Sequence, residues 1–107
     1  MACVLLYVTA GDAEEAARIG RALVEERLVA CANVIPGVRS IYRWEGAVRD
    51  EGEAVLIAKT EETRAEAATA RIKALHSYDL PCVVVVALTG GNTEFLEWVE
   101  SETGAPD

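Results

Sequence analysis

Residues 30–46, ACANVIPGVRSIYRWEG, constrain the fold more than any other part of the chain. They are rich in β-branched and aromatic residues, which favours a strand, and Pro36-Gly37 interrupts the run. Because proline cannot donate a hydrogen bond to a ladder, we expect this strand at a sheet edge or with a bulge at Pro36-Gly37. Glu45-Gly46-Ala47 predicts a turn, after which residues 48–60 return as the second strand of a long hairpin.

The predicted hairpin is long for a domain of this size. Residues 30–44 span roughly 50 Å when extended, whereas a domain of this length has a radius of gyration of about 13 Å. The hairpin must therefore bend at Pro36-Gly37 or project beyond its own domain. A projecting arm that carries Tyr42 and Trp44 is an aggregation hazard unless a partner covers it, which favours an oligomer.

Apolar runs and helical spacing predict an α+β fold for the rest of the chain. Further strands are expected at residues 3–8 and 82–88, with helices between and after the strands. The order is β-α-β-β-α-β with a short extra helix at the C-terminus. This is the ferredoxin-like split βαβ plan, an antiparallel sheet with helices on one face. A length of 107 residues predicts one domain, residues 1–107.

Each predicted helix has a start signal and an apolar face. The start signals are the capping-box pairs Asp12/Glu15 and Thr63/Glu66, and the N-cap Asn92. Gly104 and Pro106 predict the end of the last helix. The residues expected to face the core are Ala13, Ala16, Ala17, Gly20, Leu23, Val24 and Leu28, then Ala68, Ile72 and Leu75, then Phe95, Trp98 and Val99. Small residues in the first group predict that the first helix packs close to the sheet.

The apolar pattern of the predicted strands is difficult to explain in a monomer. Strands of a sheet that has helices on one face are expected to alternate apolar and polar residues. Residues 3–8, 55–58 and 82–88 are instead apolar in succession, so both faces of the sheet need cover. Since the chain has no spare element large enough to cover the second face, another protomer is expected there.

Composition limits the classes of partner. Hydrophobic residues make up 51% of the chain, enough for a core, and 10 basic against 18 acidic residues give a net charge of −8. This charge disfavours nucleic acid and anionic membrane as partners, and it is compatible with attracting cations, although acidic surfaces mostly serve solubility.

The sequence has neither signal-peptide features nor a stretch long enough to span a bilayer. Three cysteines without CxxC spacing favour reduced thiols and a cytoplasmic location.

Three segments carry a resemblance to a known family. Residues 31–46 (CANVIPGVRSIYRWEG), Lys59-Thr60 and residues 76–81 (HSYDLP) resemble segments of the divalent-cation-tolerance family CutA, and the likeness covers essentially the whole chain. The resemblance implies a ferredoxin-like protomer in a tight homotrimer, similar in architecture to PII-type signalling proteins. It also implies a role in handling copper or another divalent cation. We expect no required cofactor.

His76 is the only histidine and the first candidate for a metal ligand. Its other interpretation is a helix-end residue that the helix dipole favours. Some CutA relatives carry a second histidine and a first-strand cysteine as proposed copper ligands, where this chain has Leu75 and Val8. One imidazole cannot close a tetrahedral site, so Cys31 and Asp79 are the nearest candidates to complete a modest copper or zinc site.

The resemblance also implies a pocket between protomers that contains Trp44, Lys59 and Tyr78 beside His76. Interface packing with polar edges explains the same residues equally well. Two alternatives to a role in cation tolerance remain open: a PII-like module that senses a small molecule in this cleft, and an enzyme. The enzyme has the least support, because a Cys31–His76 pair has no flanking catalytic signature.

We predict a tight homo-oligomer, a trimer according to the resemblance, with a core-like interface above ~2,000 Å². The reason is that the doubly apolar strands and the long arm both need cover. Light scattering at micromolar protein should give the mass of three chains. A monomer under these conditions would contradict the prediction.

Overall fold

A computed structural model describes residues 2–103. Its elements are, in chain order, β1 (Cys3–Ala10), α1 (Ala13–Glu25), β2 (Cys31–Trp44), β3 (Ala47–Glu61), α2 (Ala65–Leu75), β4 (Val83–Ala87) and α3 (Thr93–Thr103). The strands form one antiparallel sheet in the order β2-β3-β1-β4. The predicted α+β order of four strands and three helices is therefore confirmed over the described residues.

β2 and β3 form the predicted hairpin, with β2 at the sheet edge. Its two-residue turn has positive φ at both Glu45 (49°) and Gly46 (78°), a geometry that matches the right-handed twist of the two strands. The ladder shifts register between Ile35 and Val38, and Gly37 within the shift has φ of 74°. The predicted bulge is therefore present.

The hairpin extends beyond the rest of the sheet. β1 pairs with β3 only at Ala54–Glu61, so residues 47–53 have β2 as their one partner among the described strands. Residues 41–50 are all exposed, and the molecule is 46 Å long but 25 and 21 Å across. The prediction of an arm that projects beyond its own domain is confirmed.

The core lies between the sheet and one face each of α1 and α2. Its buried residues are Leu6, Val8, Ala10, Ala16, Ile19, Leu23, Val29, Ala54, Leu56, Ala58, Ala68 and Ile72. The predicted core face of α1 was too wide, because Ala17 and Val24 are exposed, and it omitted Ile19, which is fully buried. Successive residues advance about 100° around a helix, so Ala17 and Val24 lie roughly 100° and 80° from the buried Ala16.

α1 packs closely on the sheet at Gly20, as the small residues of its core face predicted. A side-chain carbon at this position would lie 3.1 Å from both Ala32 Cβ and Leu56 Cδ1. Glycine therefore lets the helix backbone approach β2 and β3.

The prediction that Thr63 caps α2 is wrong. Thr63 lies in a 3₁₀ turn, Glu62–Arg64, and its hydroxyl donates to the Glu61 carboxylate at 3.0 Å. The helix begins at Ala65 without a side-chain cap. The turn provides a backbone acceptor where a side-chain cap is lacking, because the Ala65 N–H donates to the Glu62 carbonyl.

α3 is rotated about its own axis relative to the orientation that the sequence predicts. Asn92 caps it as expected, with its Oδ1 accepting from the Glu94 N–H at 3.1 Å. Phe95 and Trp98 do not face inward: they are 39% and 43% exposed, and their ring centroids lie 5.6 Å apart. The cluster at this end of the sheet consists of Cys3, Ala30, Leu88, Leu96 and Val99. The predicted helix-ending residues Gly104 and Pro106 lie outside the described residues.

The sheet leaves apolar side chains exposed in the protomer. Tyr7 lies on the face opposite the buried Leu6 and Val8, and it is 37% exposed. On β4, Val84, Val85 and Val86 are exposed as well. The predicted burial of β1 and β4 on both faces is therefore not achieved within one protomer. None of the helices in residues 2–103 is long and apolar enough to cross a bilayer.

We predict that Ile19→Ala lowers the free energy of unfolding by about 2–4 kcal/mol, because it opens a cavity in the core. Val24→Ala is the matched control, since Val24 lies on the same helix but is 40% exposed, and it should change stability by less than ~0.5 kcal/mol. Urea unfolding at one fixed protein concentration measures both. Equal losses would contradict the assignment of Ile19 to the core face of α1 and Val24 to its exposed side.

Candidate functional site

A cleft lies where the hairpin meets the loop of residues 76–82, between α2 and β4. It encloses about 710 Å³. We call it the hairpin cleft. Its lining residues are Thr9, Ser40, Ile41, Tyr42, Trp44, Glu51, Glu53, Tyr78, Leu80, Pro81 and Cys82.

Strand register explains why the hairpin presents these side chains together. Ser40, Tyr42 and Trp44 are two residues apart on β2, so they lie on one face. Ser40 pairs with Glu51 across the ladder, which places Glu51, and Glu53 two residues later, on that same face. The two-residue turn fixes this pairing, and the turn therefore brings the aromatic rings to the carboxylates.

Two tyrosine hydroxyls bind the two carboxylates of the cleft. Tyr42 donates to Glu51 Oε1, and Tyr78 donates to Glu53 Oε2 at 2.8 Å. The pKa of Tyr78 is strongly raised, by burial first and then by its hydrogen bond to Glu53 and the charge of that group. The hydrogen bond to Glu51 is the main cause that raises the pKa of Tyr42. Both phenols are therefore neutral donors, and the negative charge of the cleft resides on the carboxylates.

The ring of His76 anchors the loop that carries Tyr78. His76 follows the last residue of α2, as predicted, and its side chain is fully buried. Nδ1 accepts a hydrogen bond from the Tyr78 N–H at 3.1 Å, and Nε2 lies 2.8 Å from the Thr9 carbonyl oxygen. Because Nδ1 is an acceptor, we assign the proton to Nε2, which donates to Thr9. Both ring nitrogens are thus occupied by backbone groups.

Glu15 holds the same loop from the other side. The predicted first capping box is confirmed, since Asp12 Oδ1 accepts from the Glu15 N–H at 2.8 Å. The Glu15 carboxylate accepts from the Ser77 N–H at 2.8 Å and from the Gly11 N–H at 3.1 Å. Burial raises the pKa of this carboxyl, but the bonds from Ser77 and Gly11, with nearby His76, outweigh it and lower the pKa overall.

The structure does not bring the predicted metal ligands His76, Cys31 and Asp79 together in one protomer. Cys31 lies across from Lys59 and His76 contacts Thr9. Lys59 pairs with Leu5, so the two sites are four residues apart along β1, roughly 13 Å. Within residues 2–103, no group of three or more His, Cys, Asp or Glu side chains is arranged to hold a metal ion.

The predicted pocket residues divide into two places. Trp44 and Tyr78 line the hairpin cleft, whereas Lys59 does not. The Lys59 ammonium donates to Asn33 Oδ1 at 2.7 Å and lies 4.0 Å from Cys31 Sγ. The sequence prediction missed the carboxylates of Glu51 and Glu53. The turn at Glu45-Gly46 was the signal that could have found them, because a two-residue turn sets which residues of β3 face Tyr42 and Trp44.

Comparison with known proteins decides the family. A family model described as "CutA1 divalent ion tolerance protein" matches residues 4–102. The chain belongs to the CutA1 family. The resemblance found in the sequence is therefore confirmed, and the match covers all seven helices and strands except the first residue of β1 and the last of α3.

Relatives within the CutA1 family are similar over most of this chain. The chain is 42% identical to the divalent-cation tolerance protein CutA of Thermus thermophilus, over 94% of this chain and 97% of that protein. It is 40% identical to the chloroplastic protein CutA 1 of Oryza sativa, over 94% of this chain but only 56% of that protein. It therefore spans about half the length of this plant relative. The crystal structure of CutA1 from Oryza sativa superposes with a TM-score of 0.94 at 38% identity, over 99% of this chain and 97% of that one.

We predict that Glu15→Gln loosens the loop and lowers stability at pH 7 by about 1–3 kcal/mol, because hydrogen bonds to a charged acceptor become bonds to a neutral one. The pKa of Glu15 is lower in the folded state, so its contribution is present above its ordinary value of 4.5 and is lost as pH falls through the folded pKa. The difference between the variant and the parent should therefore shrink on acidification below pH 4.5. Unfolding curves from pH 7 to pH 3 measure it.

Glu14→Gln is the control for this comparison. Glu14 carries the same charge in the same turn of α1 but is exposed. If the two variants lose stability equally, the effect belongs to the helix dipole and not to the bonds with Ser77 and Gly11.

Proposed function

We propose that this chain is a non-enzymatic protein of divalent-cation tolerance that acts as a homotrimer and binds copper or another divalent cation. Membership of the CutA1 family, matched over residues 4–102, is the observation that carries the proposal. The reported relatives are CutA proteins, and the Thermus thermophilus protein is named for divalent-cation tolerance. This favours cation tolerance over the PII-like signalling alternative.

The uncovered strands support the homotrimer. Val84, Val85 and Val86 leave apolar surface exposed on both faces of the edge strand β4. The strand order, read from β4 to β2 as 4-1-3-2, supports a ferredoxin-like protomer whose helix-free face is available for contact. Burying these valines against neighbouring copies removes apolar surface from water, which favours association. A PII-like arrangement of three copies is part of the proposal.

The negative charge supports cation binding. The chain carries a net charge of −8, which raises the local concentration of cations around it. The occupied ring nitrogens of His76 argue for carboxylate ligands on the surface in place of that imidazole. We therefore assign the first ligand to Asp79, which is exposed in the loop of residues 76–82. Since residues 2–103 of one protomer do not collect a full ligand set, neighbouring protomers complete it in this proposal.

The thiols support a cytoplasmic location. Cys3, Cys31 and Cys82 are all free in the structure, which suits a reducing compartment. The rice relative is named as chloroplastic.

Calorimetric titration of the native assembly with Cu²⁺ and Zn²⁺ tests the proposal. Asp79→Asn should weaken binding several-fold, because it removes a carboxylate ligand. Asp50→Asn is the matched control, since Asp50 is already bound to Arg39 at 2.7 and 2.8 Å and has little to offer a metal. His76→Ala should lower stability and weaken binding less than Asp79→Asn does, because it loosens the loop that carries Asp79 without removing a ligand.

Two results would contradict this assignment. If His76→Ala loses affinity for the metal ion while Asp79→Asn keeps it, the ligand is the imidazole of His76 and not Asp79. Absence of binding by the native protein would mean that cation tolerance does not proceed through cations held by this chain.

A further inference from the structure

The hairpin cleft has the size and lining of a site for a small organic molecule. Its volume of about 710 Å³ lies within the range of ligand pockets, which is roughly 300–1,000 Å³. Most of its lining surface is apolar, and its charged groups are the carboxylates of Glu51 and Glu53. Such a composition favours a ligand that has an apolar body and one polar group.

Three aromatic rings line the cleft. Trp44, Tyr42 and Tyr78 are 42%, 40% and 38% exposed in the isolated chain, so its own fold does not bury these rings. Ring faces attract cations through their electrostatic quadrupole, and tryptophan does so most strongly. Ring faces also supply apolar contact area, which suits the body of the same molecule.

Two carboxylates give the cleft its charge. Glu51 and Glu53 each accept one phenol hydrogen bond through one oxygen. The other oxygen of each carboxylate has no hydrogen-bond partner among the described residues. In the part of the chain that the structure describes, no lysine, arginine or histidine lines the cleft, so two negative charges face it without a cation in the lining. Arg49 lies opposite Tyr42 on the same face and lowers the pKa of Tyr42, but it is outside the lining.

The chemistry of the lining distinguishes between kinds of cation. A divalent metal ion needs several oxygen, nitrogen or sulfur ligands at once, and residues 2–103 contain no group of three acidic, thiol or imidazole side chains so arranged. An apolar lining also gives a hydrated metal ion nothing in exchange for its water. An organic ammonium group needs one or two carboxylates, and its carbon atoms are satisfied by aromatic rings.

We infer that the hairpin cleft binds an organic cation: a protonated or quaternary amine on a compact aliphatic body. The ammonium group lies between Glu51 and Glu53, and the aliphatic body packs on Trp44 and Tyr78. Tyr42 and Tyr78 hold the two carboxylates in place through their hydroxyls. This site uses none of the residues assigned to divalent cations above. It rests on the proposed assembly only in that a neighbouring copy on the helix-free face must leave the cleft open.

A pair of probes that differ in charge tests the inference. Cyclohexylammonium and cyclohexanol have the same ring and nearly the same shape, but only the first is a cation at pH 7. Calorimetric titration of the full chain in its native assembly at low salt, where charges are least screened, compares them. Cyclohexylammonium should bind at least ~10-fold more tightly than cyclohexanol.

Variants identify the groups responsible. Glu53→Gln keeps an acceptor for the Tyr78 hydroxyl and removes the charge, and Trp44→Leu keeps an apolar side chain and removes the ring. Each should weaken cyclohexylammonium binding about 5- to 30-fold. Arg49→Gln should strengthen it, because it removes a positive charge opposite Tyr42 that repels the ligand. Glu66→Gln, on the exposed side of α2, should leave the affinity unchanged.

Three outcomes would overturn the inference. Equal binding of cyclohexylammonium and cyclohexanol would show an apolar cleft without charge selection. No saturable binding of cyclohexylammonium up to about 50 mM would show that the cleft does not hold an organic cation, since an affinity weaker than this corresponds to less than about 2 kcal/mol. Displacement of cyclohexylammonium by Zn²⁺, with the displacement lost in Glu53→Gln, would assign the cleft to metal.

Discussion

The arrangement of the cleft depends on the two hydrogen bonds of the buried His76 ring. One nitrogen binds the Thr9 carbonyl at the end of β1, and the other binds the Tyr78 N–H in the following loop. A buried polar atom that lacks a partner costs about 1–3 kcal/mol, so the ring is held in one tautomer and one orientation. This contact ties the end of the sheet to a loop that otherwise has a mostly exposed surface.

The position of that loop determines what the hairpin can hold. Tyr78 reaches Glu53 on β3 only because its backbone is fixed beside the histidine ring, with 4.7 Å between the two ring centroids. Glu15 adds a second attachment through the Ser77 N–H. The sole histidine is therefore a positioning residue in the protomer, and the groups that face the cleft are phenols, an indole and carboxylates.

The fold was largely predictable from sequence because its determinants are local. Apolar runs give the strands, Asp12 begins α1, and Pro36-Gly37 gives the bulge in an edge strand. The rotation of α3 was not predictable, because Phe95 and Trp98 are as apolar as Leu96. Which of them faces the sheet depends on the position of the cluster around Cys3, a contact between residues more than 90 positions apart.

The site was predictable only in part for a similar reason. Family resemblance assigned Trp44, Lys59 and Tyr78 to a pocket between protomers. Within one chain, Trp44 and Tyr78 line the hairpin cleft, whereas Lys59 lies on a strand position that faces Cys31 and Asn33. The carboxylates of the cleft lie far along β3 from Lys59. Their location follows from the ladder register, which a pattern of hydrophobic residues specifies less strongly on a strand exposed on both faces.

The bulge between Ile35 and Val38 separates the inner part of β2 from the part that belongs to the outer arm. Two residues of β2 there stand opposite one residue of β3, so every side chain beyond the bulge changes face relative to an uninterrupted strand. Deleting one residue at Pro36-Gly37 would remove the bulge but keep the turn and the pairing of Tyr42 with Arg49, so Tyr42 and Trp44 would stay on their present face of the sheet. The bulge therefore absorbs changes in the length of β2, and single-residue insertions or deletions at this point can alter the bend of the arm without altering which side chains it presents to the loop.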